Sequence, residues 1–428
     1  MDRKLTARQE WKSGWTLVLA SSFGFSFFTI MLSSSGLFMG PIEDEFHWSR
    51  TLLSAGVSIG ATTTAILSPF FGVLIDRFGS RKLVLPGILL TMGSILCFSL
   101  TSGEPWQWIA LWLLFGFCAT TIKSTAWTAA VLGVFKESKG LALALTLTGS
   151  AASQVIVPPL GNWLITEFGW RSAYVWMALG WGGITLILCF FFFYDIHDKR
   201  AGRGMKPEAA PAASQAEPEP APALPGLTPR EAIRDSALQR IAFSHFTVMV
   251  LTMGLSVHLF LILTDAGISR SHAAWLSSLG GIAGIVGKLL TGVLLDRFRP
   301  NWIGGITLGV AAIMFAALMD GVRSVPLITL AMIVNGYTAG TKTQITGYLT
   351  ASYAGMKSFG VIYGTMAALM ALATGLGPVM AGMVYDYSGG YGPYLLVGAI
   401  GCAICGAINV SLPPYPKWPE EGARAIAA

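Results

Sequence analysis

The clearest scarcity in this 428-residue chain is charge, because only 12% of its residues are Asp, Glu, Lys or Arg. Soluble globular proteins carry about 25% charged residues. Here 53% of the residues are hydrophobic, and the mean hydropathy is +0.62. Windows of 18 or more residues with almost no charge recur along the chain, which is the pattern of membrane-spanning helices. The sequence therefore excludes an ordinary soluble protein and predicts an all-α, polytopic membrane protein.

Several motifs are also missing. No Gly-x-x-x-x-Gly-Lys-[Ser/Thr] sequence is present, which argues against direct use of ATP. The five cysteines all lie in apolar segments, and Cys402 and Cys405 have no neighbouring His or third Cys, which favours packing over metal binding. The N-terminus lacks a small-residue cleavage site, so the first apolar segment is expected to stay as a helix. With no catalytic constellation or soluble domain, we expect neither an enzyme nor a cofactor.

Charges and turn residues divide the chain into twelve predicted spans: 14–38, 51–75, 83–101, 107–131, 139–165, 173–194, 241–264, 272–295, 302–320, 325–350, 359–384 and 394–412. If the N-terminus is cytoplasmic, 21 Lys and Arg lie inside, 4 lie outside and 3 lie within spans. This bias predicts a plasma (cell inner) membrane protein with both termini cytoplasmic. The net charge of +6 then reflects topology. We expect a monomer in the lipid bilayer, without a nucleic-acid partner.

The middle of the chain interrupts the apolar pattern. Residues 195–240 are rich in Pro, Ala and Glu and predict a disordered cytoplasmic linker. Within it, Thr228 and Glu231 have the spacing of a capping box that opens a short amphipathic helix. We therefore predict an N-terminal six-helix bundle (1–194), the linker, a C-terminal six-helix bundle (241–412) and a cytoplasmic tail (413–428).

The two halves repeat with a shift of 220 residues. Residues 72–78 (GVLIDRF) recur as residues 292–298 (GVLLDRF). At the same shift, further matches pair Gly116 with Gly336, Pro158 with Pro378, and Tyr174 with Tyr394. Four collinear matches indicate an internal duplication and a pseudo-two-fold arrangement of two bundles, as in many secondary transporters.

These segments carry a family resemblance. Residues 72–82 (GVLIDRFGSRK) resemble the signature between helices 2 and 3 of the major facilitator superfamily. Four other segments resemble the monocarboxylate and oxalate/formate transporter group of that superfamily: 36–50, 135–144, 168–171 and 258–269. The resemblance implies twelve helices in two bundles and transport by alternating access.

The resemblance also implies roles for charged residues near span ends. In the first copy of the motif, Asp76, Arg77 and Arg81 are expected to form gating contacts, and Asp296 and Arg297 are their weaker counterparts in the second. The sequence departs from the monocarboxylate carriers in helix 8. Those carriers have an Asp four residues before a basic residue, and the corresponding positions here hold Gly284 and Lys288. The helix 11 lysine of the oxalate exchanger has no counterpart in the uncharged stretch 366–384.

Three lysines lie inside predicted spans: Lys123, Lys288 and Lys342. A charge at the centre of a membrane helix costs about 3 kcal/mol, and these lysines lie too deep for complete snorkelling. Helical spacing places small and polar residues on their faces, which suits a water-filled cavity or a close helix contact. The neighbours are Gly116, Thr120 and Trp127 for Lys123; Gly281, Gly284 and Thr291 for Lys288; and Asn335, Thr338 and Thr346 for Lys342.

The lysines allow two interpretations. One is structural, with each ammonium bonded to backbone carbonyls or paired with an acid, but the only acid near a span is Asp265. The other is an anion cavity in which a substrate carboxylate neutralises them. His258 and Asp265 share a helix face as candidates for proton coupling, although His258 could instead support a helix interface. Phe27 and Phe28 could line the cavity or face lipid.

The sequence therefore predicts a secondary transporter of small mono- or dicarboxylates, working by alternating access with a proton or a counter-anion. An organic-anion exchanger or an efflux carrier for acidic drugs or metabolites is the alternative. Carriers of cationic drugs are disfavoured, since they need embedded acids rather than lysines.

Overall fold

The computed structural model describes residues 7–135, 138–195, 226–320, 324–355, 357–414 and 416. Most of the predicted linker (196–225) and of the predicted tail lie outside these residues. Asp76 and Asp296 lie in described helices, but their side chains are outside the description.

The described residues form fourteen α-helices and one π-helical turn, Met177–Trp181, between α6 and α7. The helices are α1 (Ala7–Phe46), α2 (Arg50–Phe78), α3 (Ser80–Phe98), α4 (Pro105–Thr120), α5 (Ser124–Val134), α6 (Lys139–Trp176), α7 (Gly182–Phe192), α8 (Pro229–Arg234), α9 (Ser236–Asp265), α10 (Arg270–Arg297), α11 (Pro300–Ala317), α12 (Val325–Ala354), α13 (Phe359–Ser388) and α14 (Gly392–Val410).

Ten segments in the described residues are long and apolar enough to cross a membrane. One of them, Lys139–Phe192, covers two predicted spans, 139–165 and 173–194. Between those spans, Gly169 has a non-helical φ of 77°, which divides α6 into two helical parts. The helix α12 matches the tenth predicted span but is not among the ten. Its polar residues, which include Asn335 and Lys342, lower its mean hydropathy.

Local chemistry explains several helix ends. The side chain of Ser49 accepts a hydrogen bond from the backbone N–H of Leu52 and caps α2. The predicted capping box of α8 is confirmed, because Thr228 and Glu231 each bond the other's backbone N–H. The exposed Glu231 carboxylate accepts the Thr228 N–H, which lowers its pKa.

The chain divides into two compact units, each assembled from non-contiguous pieces. The first contains Met1–Lys206, Ser256–Ile282 and Pro378–Asp386, so it includes the end of α9, the start of α10 and part of α13. The second contains Pro207–Leu255, Ala283–Gly377 and Tyr387–Ala428. The contiguous domains expected from the sequence stay a prediction.

Glycines bring helices close together within both units. In the first unit, a Cβ on Gly116 of α4 would lie 2.9 Å from the Gly60 carbonyl oxygen of α2. In the second unit, a Cβ on Gly406 of α14 would lie 2.8 Å from the Gly305 carbonyl oxygen of α11. Small residues at such contacts allow the backbone packing that drives helix association in membranes.

Candidate functional site

The membrane segment that contains Lys123 is interrupted at that residue. The helix α4 ends at Thr120, residues 121–123 form a turn, and α5 begins at Ser124. The Thr120 hydroxyl donates to the Gly116 carbonyl oxygen (2.6 Å), and such side-chain bonds compete with regular helix geometry. The predicted span 107–131 lies within the membrane segment Pro105–Val134, but the helical spacing that placed Trp127 on the face of Lys123 assumed a continuous helix and does not hold across this turn.

Trp127 stabilises this interruption. Its indole Nε1–H donates to the carbonyl oxygen of Ile122 (2.7 Å), which lies in the turn between the two helices. The Trp127 side chain is fully buried, and its ring packs edge-on against Phe193 at 5.1 Å between centroids. The indole N–H of Trp127, a predicted neighbour of Lys123, therefore bonds the backbone in this structure.

Lys123 is half-buried and bonded to a neutral group. Its Nζ donates to the Ser68 hydroxyl of α2 at 3.1 Å. Among the described residues, no carboxylate lies within 4.0 Å of this ammonium. Lys123 is the N-cap residue of α5, so its backbone lies at a helix N-terminus, whose partial charge is also positive.

A buried polar stripe follows one face of α12 in the second unit. Lys342 is 4% exposed, and its Nζ donates to the Thr252 hydroxyl of α9 at 2.6 Å. Thr338, which is also buried, donates to the carbonyl oxygen of Asn335 (3.0 Å). The side-chain Oδ1 of Asn335 is buried without a hydrogen-bond partner in the described part of the chain. Thr338 and Lys342 are buried and Asn335 is half-buried, as expected if helical spacing places them on one face of α12.

His245 of α9 extends this stripe and was missed from the sequence. It is 3% exposed, and its Nδ1 lies 2.6 Å from the Thr346 hydroxyl of α12. Its Nε2 is buried and has no hydrogen-bond partner among the described residues. No sequence pattern distinguishes this histidine, because it lies near the start of a predicted span.

Lys288 differs from Lys342 in being exposed, although both belong to the second unit. One turn before it, Gly284 forms a close contact between α10 and α12: a Cβ there would lie 3.0 Å from the Gly336 carbonyl oxygen. A Cβ on Gly340 would in turn collide with the Gly284 backbone. This contact gives a physical reason for the missing acid, since an Asp at position 284 would force the helices apart.

The two aromatic candidates of α1 have different environments. Phe27 is fully buried and packs against Gly182, where an added Cβ would lie 2.9 Å from the Phe27 ring. The Phe27 side chain therefore does not face lipid. Phe28 is half-buried and stacks on Phe25 with ring centroids 5.9 Å apart.

A charged cluster that the sequence did not predict lies in the first unit. Arg50, which is 6% exposed, pairs with Asp265 (Nη1 to Oδ2, 2.6 Å) and with Glu43 (Nε to Oε2, 3.0 Å). Its guanidinium also lies 3.8 Å from the ring centroid of Tyr385. Asp386 accepts the backbone N–H groups of the first two residues of α2 (3.1 and 2.9 Å). We call these five residues the Arg50 cluster; it contains Asp265, one of the two proton-coupling candidates.

His258, the other candidate, is fully buried. Its Nε2–H donates to the carbonyl oxygen of Pro378 in α13 at 3.0 Å. Because a carbonyl oxygen only accepts, Nε2 must carry its proton in this contact. His258 thus connects α9 and α13 within the first unit.

The predicted gating motif surrounds the junction of α2 and α3. Gly79 has a φ of 85°, and an added Cβ would lie 2.6 Å from the Asp195 carboxylate. Asp195 accepts the backbone N–H of Arg81 (3.0 Å), and the Arg81 guanidinium donates to the Phe190 carbonyl (2.8 Å). Arg77 and Arg297 are both exposed. The contacts of Asp76 and Asp296 lie outside the described part of the chain.

Comparison with known proteins agrees with this architecture. The family model "Major Facilitator Superfamily" matches residues 18–319 and 241–428. The chain belongs to this superfamily, and it is a membrane transporter rather than an enzyme.

Similar proteins include two named monocarboxylate transporters. Monocarboxylate transporter 13 of Bos taurus is 25% identical over 411 residues, covering 94% of this chain and 90% of that protein. Monocarboxylate transporter 11 of Homo sapiens is 25% identical over 406 residues, covering 90% and 80%. A bacterial homologue of the human lysosomal transporter Spinster, crystallised in an inward-facing, unoccupied conformation, superimposes with a TM-score of 0.63. That structure is 14% identical and covers 95% of both chains, so it supports the fold alone.

Proposed function

We propose that this protein is a secondary active transporter of small organic carboxylates that works by alternating access and is coupled to protons. The comparisons show that this protein is a transporter of the major facilitator superfamily. The names of the similar proteins suggest monocarboxylates as the substrate class.

Lys342 is the observation that carries this proposal. Its ammonium is buried in a membrane helix, its hydrogen-bond partner is the neutral Thr252 hydroxyl, and no carboxylate of the described residues lies within 4.0 Å. A buried charge without a counter-charge is costly, and an anionic substrate would relieve that cost. Lys288 follows Gly284, the glycine at the α10–α12 contact, by one helical turn. It would add a second positive charge to this unit.

Lys123 supports the same substrate class from the first unit. Interrupted membrane helices in transporters expose helix N-termini that favour anionic groups. The N-terminus of α5 lies beside Lys123, so a positive side chain and a positive helix end occur together. We propose that Lys123, within the first unit, contributes to the recognition of dicarboxylates. Thr120, Trp127, Asn335, Thr338, Phe27 and Phe28 remain proposed neighbours of the bound substrate.

We assign proton coupling to Asp265 rather than to His258. The Asp265 carboxylate pairs with Arg50, whereas Nε2 of His258 already donates to a backbone carbonyl. A proton on Asp265 would neutralise it and weaken the attraction between α9 and α2. With both termini in the cytoplasm of a plasma-membrane protein, the Arg50 cluster faces outside, so external acid would release this contact and favour uptake.

The junction of α2 and α3 would then lie on the cytoplasmic side. We propose that Asp76, Arg77 and Arg81 there, and Asp296 and Arg297 in the second copy, stabilise one of the alternating conformations. The Asp195 contacts to the Arg81 backbone fit a rigid junction that could serve this role.

A thermal-shift screen of the purified protein tests the proposal. We expect monocarboxylates, dicarboxylates or aromatic carboxylates to raise the melting temperature, while cationic dyes of similar size do not. Stabilisation by the cationic dyes alone would contradict the proposed substrate class.

A further inference from the structure

The second unit contains a buried, titratable group that the proposed transport mechanism does not use. His245 is 3% exposed, and its Nε2 has no hydrogen-bond partner among the described residues. Buried polar atoms are nearly always hydrogen-bonded, so each exception requires an explanation. An unpartnered imidazole nitrogen in a membrane helix is therefore a candidate binding site for something the structure does not contain.

The contacts of Thr346 determine what this nitrogen can bind. The Thr346 hydroxyl lies 2.6 Å from His245 Nδ1 and 2.8 Å from the Lys342 carbonyl oxygen. A hydroxyl has one proton, and the carbonyl can only accept. Both contacts are satisfied when Thr346 donates to the carbonyl and Nδ1–H of His245 donates to Thr346. In this tautomer Nε2 has a free lone pair, which is a proton acceptor.

His245 and Lys342 belong to one pair of facing helix surfaces. Thr346 contacts His245 and follows Lys342 by one turn of α12, about 6 Å along the axis. Thr252 contacts Lys342 and follows His245 by two turns of α9. The two cross-helix hydrogen bonds therefore connect the histidine and the lysine to the same helix interface.

The other elements against this part of α9 bring no counter-charge in the described residues. From α14, Asn409 donates to Ser244, while Cys402 lies near Lys342 and Cys405 bonds Thr247. From α13, Gly377 packs against the Val250 backbone, and residues 366–384 carry no charge. The exposed Lys288 of α10 is a further cation, and Arg240 of α9 donates to the Ile408 carbonyl oxygen of α14 and to Ser411.

We propose that Nε2 of His245 is a proton-binding site whose occupancy is linked to that of the carboxylate at Lys342. A proton on His245 places a second cation in the interface that holds Lys342, and a bound carboxylate offsets that repulsion. The proton and the carboxylate therefore stabilise each other, and by linkage the effect is reciprocal. This inference rests on the proposed function, because it needs an anion at Lys342.

Pyruvate binding to the purified full-length protein tests the link, since pyruvate stays an anion between pH 5.5 and 8.5. The direction of the pH dependence follows from which protonation state of His245 binds pyruvate more tightly. The protonated histidine favours the anion, so affinity is highest in acid and is lost as the pH rises through the pKa of His245. Between the pKa of His245 in the free protein and its pKa in the complex, one linked proton raises the Kd by about tenfold per pH unit. We also expect pyruvate binding there to take up about one proton in weakly buffered solution.

The variant His245→Asn keeps an N–H near the Nδ1 position but cannot take up a proton. We expect its Kd to be independent of pH and its proton uptake to be lost. The matched control is His272→Asn, which alters an exposed histidine near the start of α10 and should keep the wild-type pH dependence.

The outcomes separate the two proposals. A wild-type protein that binds neither pyruvate nor any other carboxylate of the thermal-shift screen at any pH would contradict the proposed function and the inference together. Wild-type binding that is independent of pH and takes up no proton would overturn the inference alone, without need of a variant. A folded His245→Asn protein whose pyruvate affinity keeps the full wild-type pH dependence would also overturn the inference alone.

Discussion

The Nη1 atom of Arg50 lies 2.6 Å from Oδ2 of Asp265, which joins the first residue of α2 to the last residue of α9. These residues are 215 positions apart in the sequence, and the Arg50 side chain is 7% exposed. Glu43 also pairs with Arg50, so the guanidinium has two acidic partners. Protonation of Asp265 would remove one of these two charge pairs, and this is the step that we propose couples a proton to transport.

The first prediction concerns this pair. We expect Asp265→Asn to abolish the response of carboxylate uptake to an inward proton gradient in proteoliposomes, because the neutral amide cannot exchange a proton. Loss of one of the two acidic partners of Arg50 should also lower the free energy of unfolding by about 1–3 kcal/mol. The loss stays this small because Glu43 remains bonded to Arg50.

Two controls accompany this measurement. Asp265→Glu keeps the titratable charge and should retain gradient-driven uptake. His272→Gln changes an exposed histidine near the start of α10 and should behave as wild type. Gradient-driven uptake at the wild-type rate in Asp265→Asn would show that another group carries the proton.

The second prediction concerns the helix interruption at Lys123. We expect Trp127→Phe to lower stability by about 1–3 kcal/mol, because the Ile122 carbonyl would lose the indole donor while staying buried. Trp163→Phe is the matched control, since Trp163 is 52% exposed on α6. Equal melting temperatures for the two variants would contradict the role given to the Trp127 hydrogen bond.

The third prediction concerns the α10–α12 contact. We expect Gly284→Ala to lower stability by about 1–3 kcal/mol, because the new Cβ would lie 3.0 Å from the Gly336 carbonyl oxygen. Gly364→Ala on α13 should instead be neutral or stabilising, since nothing lies within 4 Å of its added Cβ.

Melting temperatures of the two alanine variants provide this comparison. A Gly284→Asp variant, which restores the acid of the monocarboxylate carriers, should be less stable still. A fully stable Gly284→Asp protein would mean that packing does not explain the missing acid.

Periodic features were accessible from the sequence. Apolar runs predicted the membrane segments, the capping-box spacing predicted the start of α8, and helical periodicity grouped Asn335, Thr338 and Lys342 on one face. These features depend on neighbouring residues of one helix, so local rules determine them.

Features that need two distant segments were not accessible. Arg50 looked like one of a few basic residues between spans, and nothing in its neighbourhood indicates Asp265 or Asp386 as partners. The interruption at Lys123 depends on the indole of Trp127 reaching back to a carbonyl, which residue composition does not reveal. His245 became notable only when the burial of its Nε2 was known.

The three membrane lysines provide the fourth prediction, which is the central one. A charge-assisted hydrogen bond contributes about 1.5–3 kcal/mol, so Lys342→Ala or Lys288→Ala should weaken carboxylate affinity by roughly 10- to 150-fold. Lysine to arginine changes should be poorly tolerated, because a planar guanidinium differs in shape from an ammonium. Lys123→Ala should affect dicarboxylates more than monocarboxylates. Lys139→Ala, at an exposed position at the start of α6, is the control and should bind as wild type.

The most direct test measures carboxylate affinity and melting temperature together on purified Lys123→Ala, Lys288→Ala and Lys342→Ala. If the lysines bind the substrate, affinity falls while each variant stays folded near the wild-type melting temperature. If they are structural, melting temperature falls and the folded protein binds carboxylate normally. Unchanged affinity in all three folded variants would contradict the proposal that this transporter recognises its substrate through membrane lysines.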